Sequence, residues 1–237
     1  MENFKIKKLL ALLLVGVVYA DNEVYVDQVG ATFNLDIEQL GSSNIIGGLT
    51  SVAGSMTALD LDGGTMTLDI NQIGDTNKFL GDITSENFTG LFEFDGGNNN
   101  FTIQVDPANT YGANGGDFNI DVTGSTNTFT LDVATNDLAS ALDLDWIIQG
   151  SNNTFDFDID YDQATNYVDV DGDSNTITFD ADGFSSGYFY LDHTGNSRTF
   201  NIQQQSTLAS DWLQINSTGN SGTVCVIQND AGLSTSC

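Results

Sequence analysis

Carboxylates are the most abundant ionisable groups of this chain: 33 acidic residues stand against 5 basic ones and a single histidine. Asp169 and Asp171 form the kind of carboxylate pair a glycosidase uses, one group as acid and one as nucleophile or base. Alternation along a strand, however, puts every such pair on one face automatically. The run Asp169-Val-Asp171-Gly-Asp173, with Asp180 eleven positions after Asp169, has the outline of a calcium-binding EF-hand loop. Ser174 stands where that loop needs glycine, and no helical pattern flanks it, so the match is accidental. A stronger relation joins Asp132, Asp158 and Asp180, each eight residues after a glycine that opens a turn. If successive turns stack, these carboxylates lie about 4.8 Å apart and repel one another. Salt or a divalent cation must then screen them, so Ca2+ is the one cofactor the residues suggest. His193 falls in strand phase with Phe189 and Leu191, has no second histidine or thiol at ligand spacing, and reads as a packed residue. Serines and threonines are plentiful but have no partner base, which leaves nucleophilic catalysis unsupported. The expectation is a protein that is not an enzyme, with no catalytic residues.

What positions these aspartates is a repeat. Val24/Val26/Gln28 and Leu35/Ile37/Gln39 alternate on either side of a turn opened by Gly30 and closed by Asn34. A glycine followed five residues later by an apolar strand residue recurs at Gly30, Gly54, Gly74, Gly96, Gly124, Gly150, Gly172, Gly195 and Gly219. These nine glycines span 189 residues in eight steps. Gly41 and Gly63 sit half a period out of step. Asn often follows the glycine by three residues (Asn77, Asn99, Asn127, Asn153, Asn175), and Thr comes next in several coils. A strand–turn–strand unit this short cannot bury its own apolar face, so copies must stack. The fold class expected is all-β: a two-sheeted β-solenoid of about nine coils of roughly 22–28 residues. It would be roughly 43 Å long and widen toward a Phe- and Trp-rich C-terminal end. Length variation collects in the second turn, at Pro107 to Asp117 and Thr135 to Ala141, and Ala134 to Leu144 could hold one helical turn. Thr128/Thr130 and Thr176/Thr178 fit the Thr-x-Thr ladder of ice-binding solenoids, but Asp156 and Asn201 interrupt the second column.

Residues 1–20 read as a signal peptide: Lys5, Lys7 and Lys8, an apolar core from Leu9 to Val18, and a cleavage site at Val18-Tyr19-Ala20. Cleavage would remove three lysines and Glu2 and take the formal charge from −28 to −30. Residues 21–237 then form one domain without a linker, with a C-terminal cap from about residue 220. Such acidity excludes nucleic acid as a partner, since phosphate binding needs a basic stripe. No later segment has the roughly 20 apolar residues of a membrane span. Export into an oxidising compartment makes a disulfide between Cys225 and Cys237 the simplest reading of the two cysteines.

The early coils resemble the curlin repeat of the amyloid subunits of bacterial curli fibres. The likeness lies in Gln28-Val-Gly30 through Asn34 to Gln39, in Gln39-Leu-Gly41-Ser-Ser-Asn44, and in Gln72-Ile-Gly74-Asp-Thr-Asn77. It covers about residues 24 to 77. Later coils keep the period and the glycine but retain the strand Gln only at Gln104, Gln204 and Gln228. The resemblance implies secretion across an outer membrane and ordered self-assembly into β-rich fibres. Similar curlin-repeat proteins with signal peptides also look like products of tailed bacteriophages of marine bacteria. The function expected is a secreted or cell-surface structural or adhesive subunit, of a fibre or a virion, self-associating through Val24, Tyr25 and Val26 as an open N-terminal edge. The alternative is a monomeric calcium-dependent adhesin.

Overall fold

The computed structural model describes residues 22–49, 51, 56–106, 114–134, 139–183, 187–206 and 211–229; the expected signal peptide lies outside them. Every regular element among these residues is a strand, and all but one of the strand pairings are parallel. Each coil lays one strand on a first face, crosses over, and lays a second strand on the opposite face. The first face contains Asn100–Val105, Thr128–Val133, residues 154–161, Thr176–Gly183, Arg198–Ser206 and Gly222–Asn229, paired in that order. The second contains residues 65–73 and 87–95, Asp117–Thr123, residues 143–149 and 165–171, Tyr188–Thr194 and Trp212–Thr218. This is a parallel β-solenoid. It makes about seven turns rather than nine.

The difference in count comes from the first third of the chain. Gly41, Gly74, Gly96, Gly124, Gly150, Gly172, Gly195 and Gly219 stack at one corner, all with φ between 118° and 153°. In this stack a Cβ on each glycine from Gly74 onward would collide with the carbonyl oxygen of the glycine one coil before. Only glycine fits there, both for the positive φ and for the close backbone approach. Gly30 is not in this stack. It lies opposite Gly63 at the other corner, its N–H donating to the Asp62 carbonyl at 2.9 Å. Gly41, assigned to the half-period, is therefore the first rung of the main stack, and Gly54 lies outside the described residues. The coil from Gly41 to Gly74 is long because Gly48–Leu49 and Met56–Thr57 pair antiparallel in an excursion from it.

The residue two after each stacking glycine is also left-handed, from Ser43 to Ser221, with φ between 53° and 65°. In all but the last two of these coils the next residue is an asparagine, which turns inward and is buried. Its side-chain oxygen accepts the backbone N–H of the preceding coil's asparagine: Asn77 from Asn44, Asn99 from Asn77, Asn127 from Asn99, Asn153 from Asn127 and Asn175 from Asn153, at 2.7–2.9 Å. The side-chain amides of Asn127, Asn153 and Asn175 donate to the carbonyls of Gly96, Gly124 and Gly150. A corner that would leave backbone groups unpaired is thus closed by one repeated side chain.

The helical turn expected within Ala134 to Leu144 is absent from its described part: Ala139–Gln149 is a strand that buries Leu142, Leu144, Trp146 and Ile148 in alternation. The second corner is not always a loop either. Lys78–Asp95 and Thr154–Asp171 each run as one 18-residue strand from face to face, the latter bending at Gln163 with φ 76°. Inward and outward phases are as read from the alternation: Phe155, Phe157 and Ile159 are buried, while Asp156, Asp158 and Asp160 face out. The aromatic core, however, peaks in the middle coils. Phe94 and Phe101 stack at 3.8 Å and Trp146 meets Phe157 at 4.2 Å, whereas the last two coils return to Leu213, Ile215, Val224 and Val226.

Candidate functional site

On the first face, stacking brings the expected aspartates together. Asp132, Asp158 and Asp180 occupy one column in consecutive coils, and Asp160 and Asp182 stand beside one another in the next. Each column is closed by an amide. Gln104 reaches Asp132 at 3.4 Å, Gln203 donates to Asp180 at 2.9 Å, and Gln205 donates to Asp182 at 3.0 Å. Partial burial, and then the charge of its neighbours Asp158, Asp182 and Asp180, push the Asp160 carboxyl up to about 7. Asp132, Asp158 and Asp180 are raised for the same reasons, with the Gln104 and Gln203 hydrogen bonds opposing at the two ends. The carboxylates share a column without converging: no group of three acidic, His or Cys side chains among the described residues is placed to hold a metal ion. Asp169 and Asp171 lie on the second face and at its end, each stacked on residues of neighbouring coils. Beside the acidic column, Thr128, Thr154, Thr176, Thr199 and Thr223 stack in register, and the adjacent column is broken by Asp156 and Asn201.

The second face carries a feature that alternation analysis missed. Tyr167 and Tyr190 stack in adjacent coils, ring centroids 5.0 Å apart and planes 5° from parallel. In the neighbouring column Tyr188 and Trp212 pair at 5.6 Å. All four point outward, with Tyr188 52% exposed, Trp212 43% and Tyr167 39%. In each pair the C-terminal ring backs the other, and the N-terminal ring walls a groove. Tyr188 closes a groove of about 370 Å³ whose floor includes Ala164 and Thr165 and whose other members include Asp143 and Gln163. Tyr167 closes one of about 270 Å³ with Leu91, Asn119, Asp121, Asp145 and Ile147. Burial raises the carboxyls of Asp143 and Asp121, helped by the nearby charges of Asp145 and Asp95 respectively. The sequence signal was available: Tyr167 precedes Tyr190 by one coil, as Tyr188 precedes Trp212, in the phase opposite to the core.

His193 is fully buried in an interior column between Val170 and Ser217, with Nδ1 3.1 Å from the Ser217 hydroxyl. Burial, and then the Arg198 charge, hold its pKa below the usual value. It is a core residue.

At the N-terminal end, Glu23–Val24 pairs with Ile45–Ile46, while Asp27–Val29 and Thr32–Leu40 pair with Leu59–Ile73. Each pairs on one side only among the described residues. Tyr25 and Val26 are not in a strand as the alternation suggested. They bridge two short ones, with Tyr25 exposed against Gly48. At the other end Gly222–Asn229 pairs, among the described residues, only with Arg198–Ser206. Of the cap expected from about residue 220, residues 230–237 lie outside the described residues, and the described part is the strand Gly222–Asn229. Its inward residues Val224 and Val226 are 43% and 41% exposed, whereas Phe200 and Ile202 one coil earlier are buried. Cys225 is disulfide-bonded; Cys237, the expected partner, lies outside the described residues.

No protein-family model, curated protein or solved structure matches this chain. No helix among the described residues is long and apolar enough to cross a membrane.

Proposed function

We propose that this chain is an exported, non-enzymatic structural or adhesive subunit that associates end to end through its terminal coils, in the manner the curlin-like coils imply. The observation that carries the reading is the state of the two ends. Among the described residues Thr32–Leu40 and Gly222–Asn229 are parallel strands paired on one side, and the half-exposed Val224 and Val226 occupy positions that every inner coil buries. An unpaired strand edge is a template for another chain, and a solenoid that stacks on itself needs only continue its own repeat to use it. The curlin-like residues support the same reading. Gln72 donates to the Gln39 side chain at 2.7 Å in the interior, and Gly41 and Asn44 stack on Gly74 and Asn77. Elongated assembly through backbone edges, with side-chain ladders in register, is how such repeats build fibres.

The test is the mass and shape of the secreted protein by size-exclusion light scattering and negative-stain electron microscopy. The wild type should form linear multimers. Val26→Pro removes an N–H at the end coil but keeps the Val26 carbonyl that accepts from Asp60, so the fold should survive while multimers shorten. Val224→Asp should do the same from the other end. A wild type that is monomeric at every concentration, or multimers indifferent to both substitutions, would reject the proposal.

A further inference from the structure

From the second face we infer that this protein binds an uncharged polysaccharide lying along the solenoid, with sugar rings seated in the two grooves against Tyr188 and Tyr167. The face offers two kinds of contact at once. An aromatic ring carries negative charge on its flat side, which suits the C–H bonds on the face of a pyranose. Trp212 and Tyr190 hold the two tyrosines from behind, so that each presents its other side to a groove. Around those rings stand groups that bond hydroxyls: Asp143 and Gln163 in one groove, Asn119, Asp121 and Asp145 in the other. Carboxylates accept from hydroxyls, and amides do both. Concave sites with apolar walls and a few convergent polar groups are the usual form of a small-molecule site, and these volumes suit one or two sugar units.

Charge narrows the occupant. The described residues hold only two basic side chains, Lys78 and Arg198, and both lie in first-face strands. Asp121, Asp143, Asp145, Asp169 and Asp192 line the second face. Nucleic acid, acidic glycans and a second copy of this chain are all repelled from it. A lysine-rich partner would meet favourable charge, but it would not need two backed tyrosines opening onto grooves. The two grooves lie in adjacent columns of the face, their tyrosines one coil apart, so a polymer with repeating units can use both.

The inference gives a ligand class to the adhesive part of the proposed function and is independent of end-to-end association. It is tested on the full secreted chain by affinity electrophoresis in gels containing dextran, hydroxyethylcellulose, galactomannan or laminarin, with alginate and polysaccharide-free gels as references. Retardation is expected in at least one neutral gel and not in alginate. Tyr188→Ala and Tyr167→Ala should each weaken it about tenfold, while Tyr188→Phe, which keeps the ring, should bind as wild type. Thermal midpoints of these outward-facing variants report that the fold is kept. No retardation in any neutral gel overturns the inference, as does retardation that both alanine variants retain. Binding to poly-L-lysine that molar NaCl abolishes, without binding to neutral glycans, would overturn it in favour of a basic protein partner.

Discussion

The turn asparagines do the most specific work of any single residues here, because each serves two coils. Asn127 accepts the Asn99 N–H through its side chain and donates to the Gly96 carbonyl. Asn127→Leu would leave the buried Asn99 N–H and the partly buried Gly96 carbonyl without these partners, at a cost of about 2–4 kcal/mol by urea or thermal unfolding. A loss under about 0.5 kcal/mol would show that the ladder is decoration. The residue just before it behaves oppositely. Thr126 is β-branched, exposed and left-handed at φ 65°, a region that Asn tolerates far better. Asn98 and Asn152 already stand at the same position in the adjacent coils. Thr126→Asn should therefore stabilise the protein by about 0.5–1 kcal/mol. Facing is tested by a neighbouring pair. Phe157→Asp puts a charge into the packed core and should unfold the chain or cost more than about 4 kcal/mol. Asp158→Asn, on the outside, should be neutral or mildly stabilising; equal effects would mean that the strand is turned over.

Among strands, the legible part of this molecule is what backbone alternation and repeated glycine enforce. Facing, parallel stacking and the Asp132/Asp158/Asp180 column follow from period two along the strand and one coil between strands. The first third misled for a physical reason. Glycine stands at both corners there, so Gly30 and Gly41 carry the same local pattern and only the contact with Gly63 or Gly74 separates them. The aromatic pairs went unseen because a search for the core discards outward positions, which is where binding groups stand. The acidic column has a consequence for pH. Asp132, Asp158, Asp160 and Asp180 hold protons more tightly folded than unfolded. Their contribution to stability is therefore full below the unfolded value of 3.8 and lost as pH rises through the folded values, to about 7 for Asp160. His193, lowered from 6.5, works the other way, costing stability as pH falls below that value. Several carboxyls oppose one imidazole, so thermal midpoints should be higher at mildly acid than at neutral pH. Asp160→Asn should flatten the upper part of that slope, and a midpoint that instead falls on mild acidification would refute the electrostatic reading.

For the whole molecule the governing quantity is charge. The formal net charge is −28, and would be −30 without residues 1–20, spread over a stack whose aspartates lie above one another. Self-repulsion of this kind opposes both compaction and the approach of a second copy. It acts on the two processes differently, however. Within the solenoid the columns are fixed by backbone pairing and a buried aromatic core, so repulsion lowers stability without dissolving the fold. Between copies the proposed contact is between the terminal strands, with the half-exposed Val224 and Val226 among them, and a rod of like charge must be brought end on. Association should therefore depend on ionic strength more steeply than folding does. Raising NaCl from a few millimolar to physiological levels, where screening shortens to about 8 Å, should raise the thermal midpoint by a few degrees and convert monomers to multimers. Calcium at matched ionic strength distinguishes screening from binding. With no three acidic groups converging among the described residues, it should act like any divalent salt, giving no saturable shift. A saturable midpoint increase at sub-millimolar calcium, lost in Asp158→Asn, would show that the aspartate column gathers into true sites. A midpoint and a mass indifferent to NaCl would remove repulsion from the account of stability and of the proposed association.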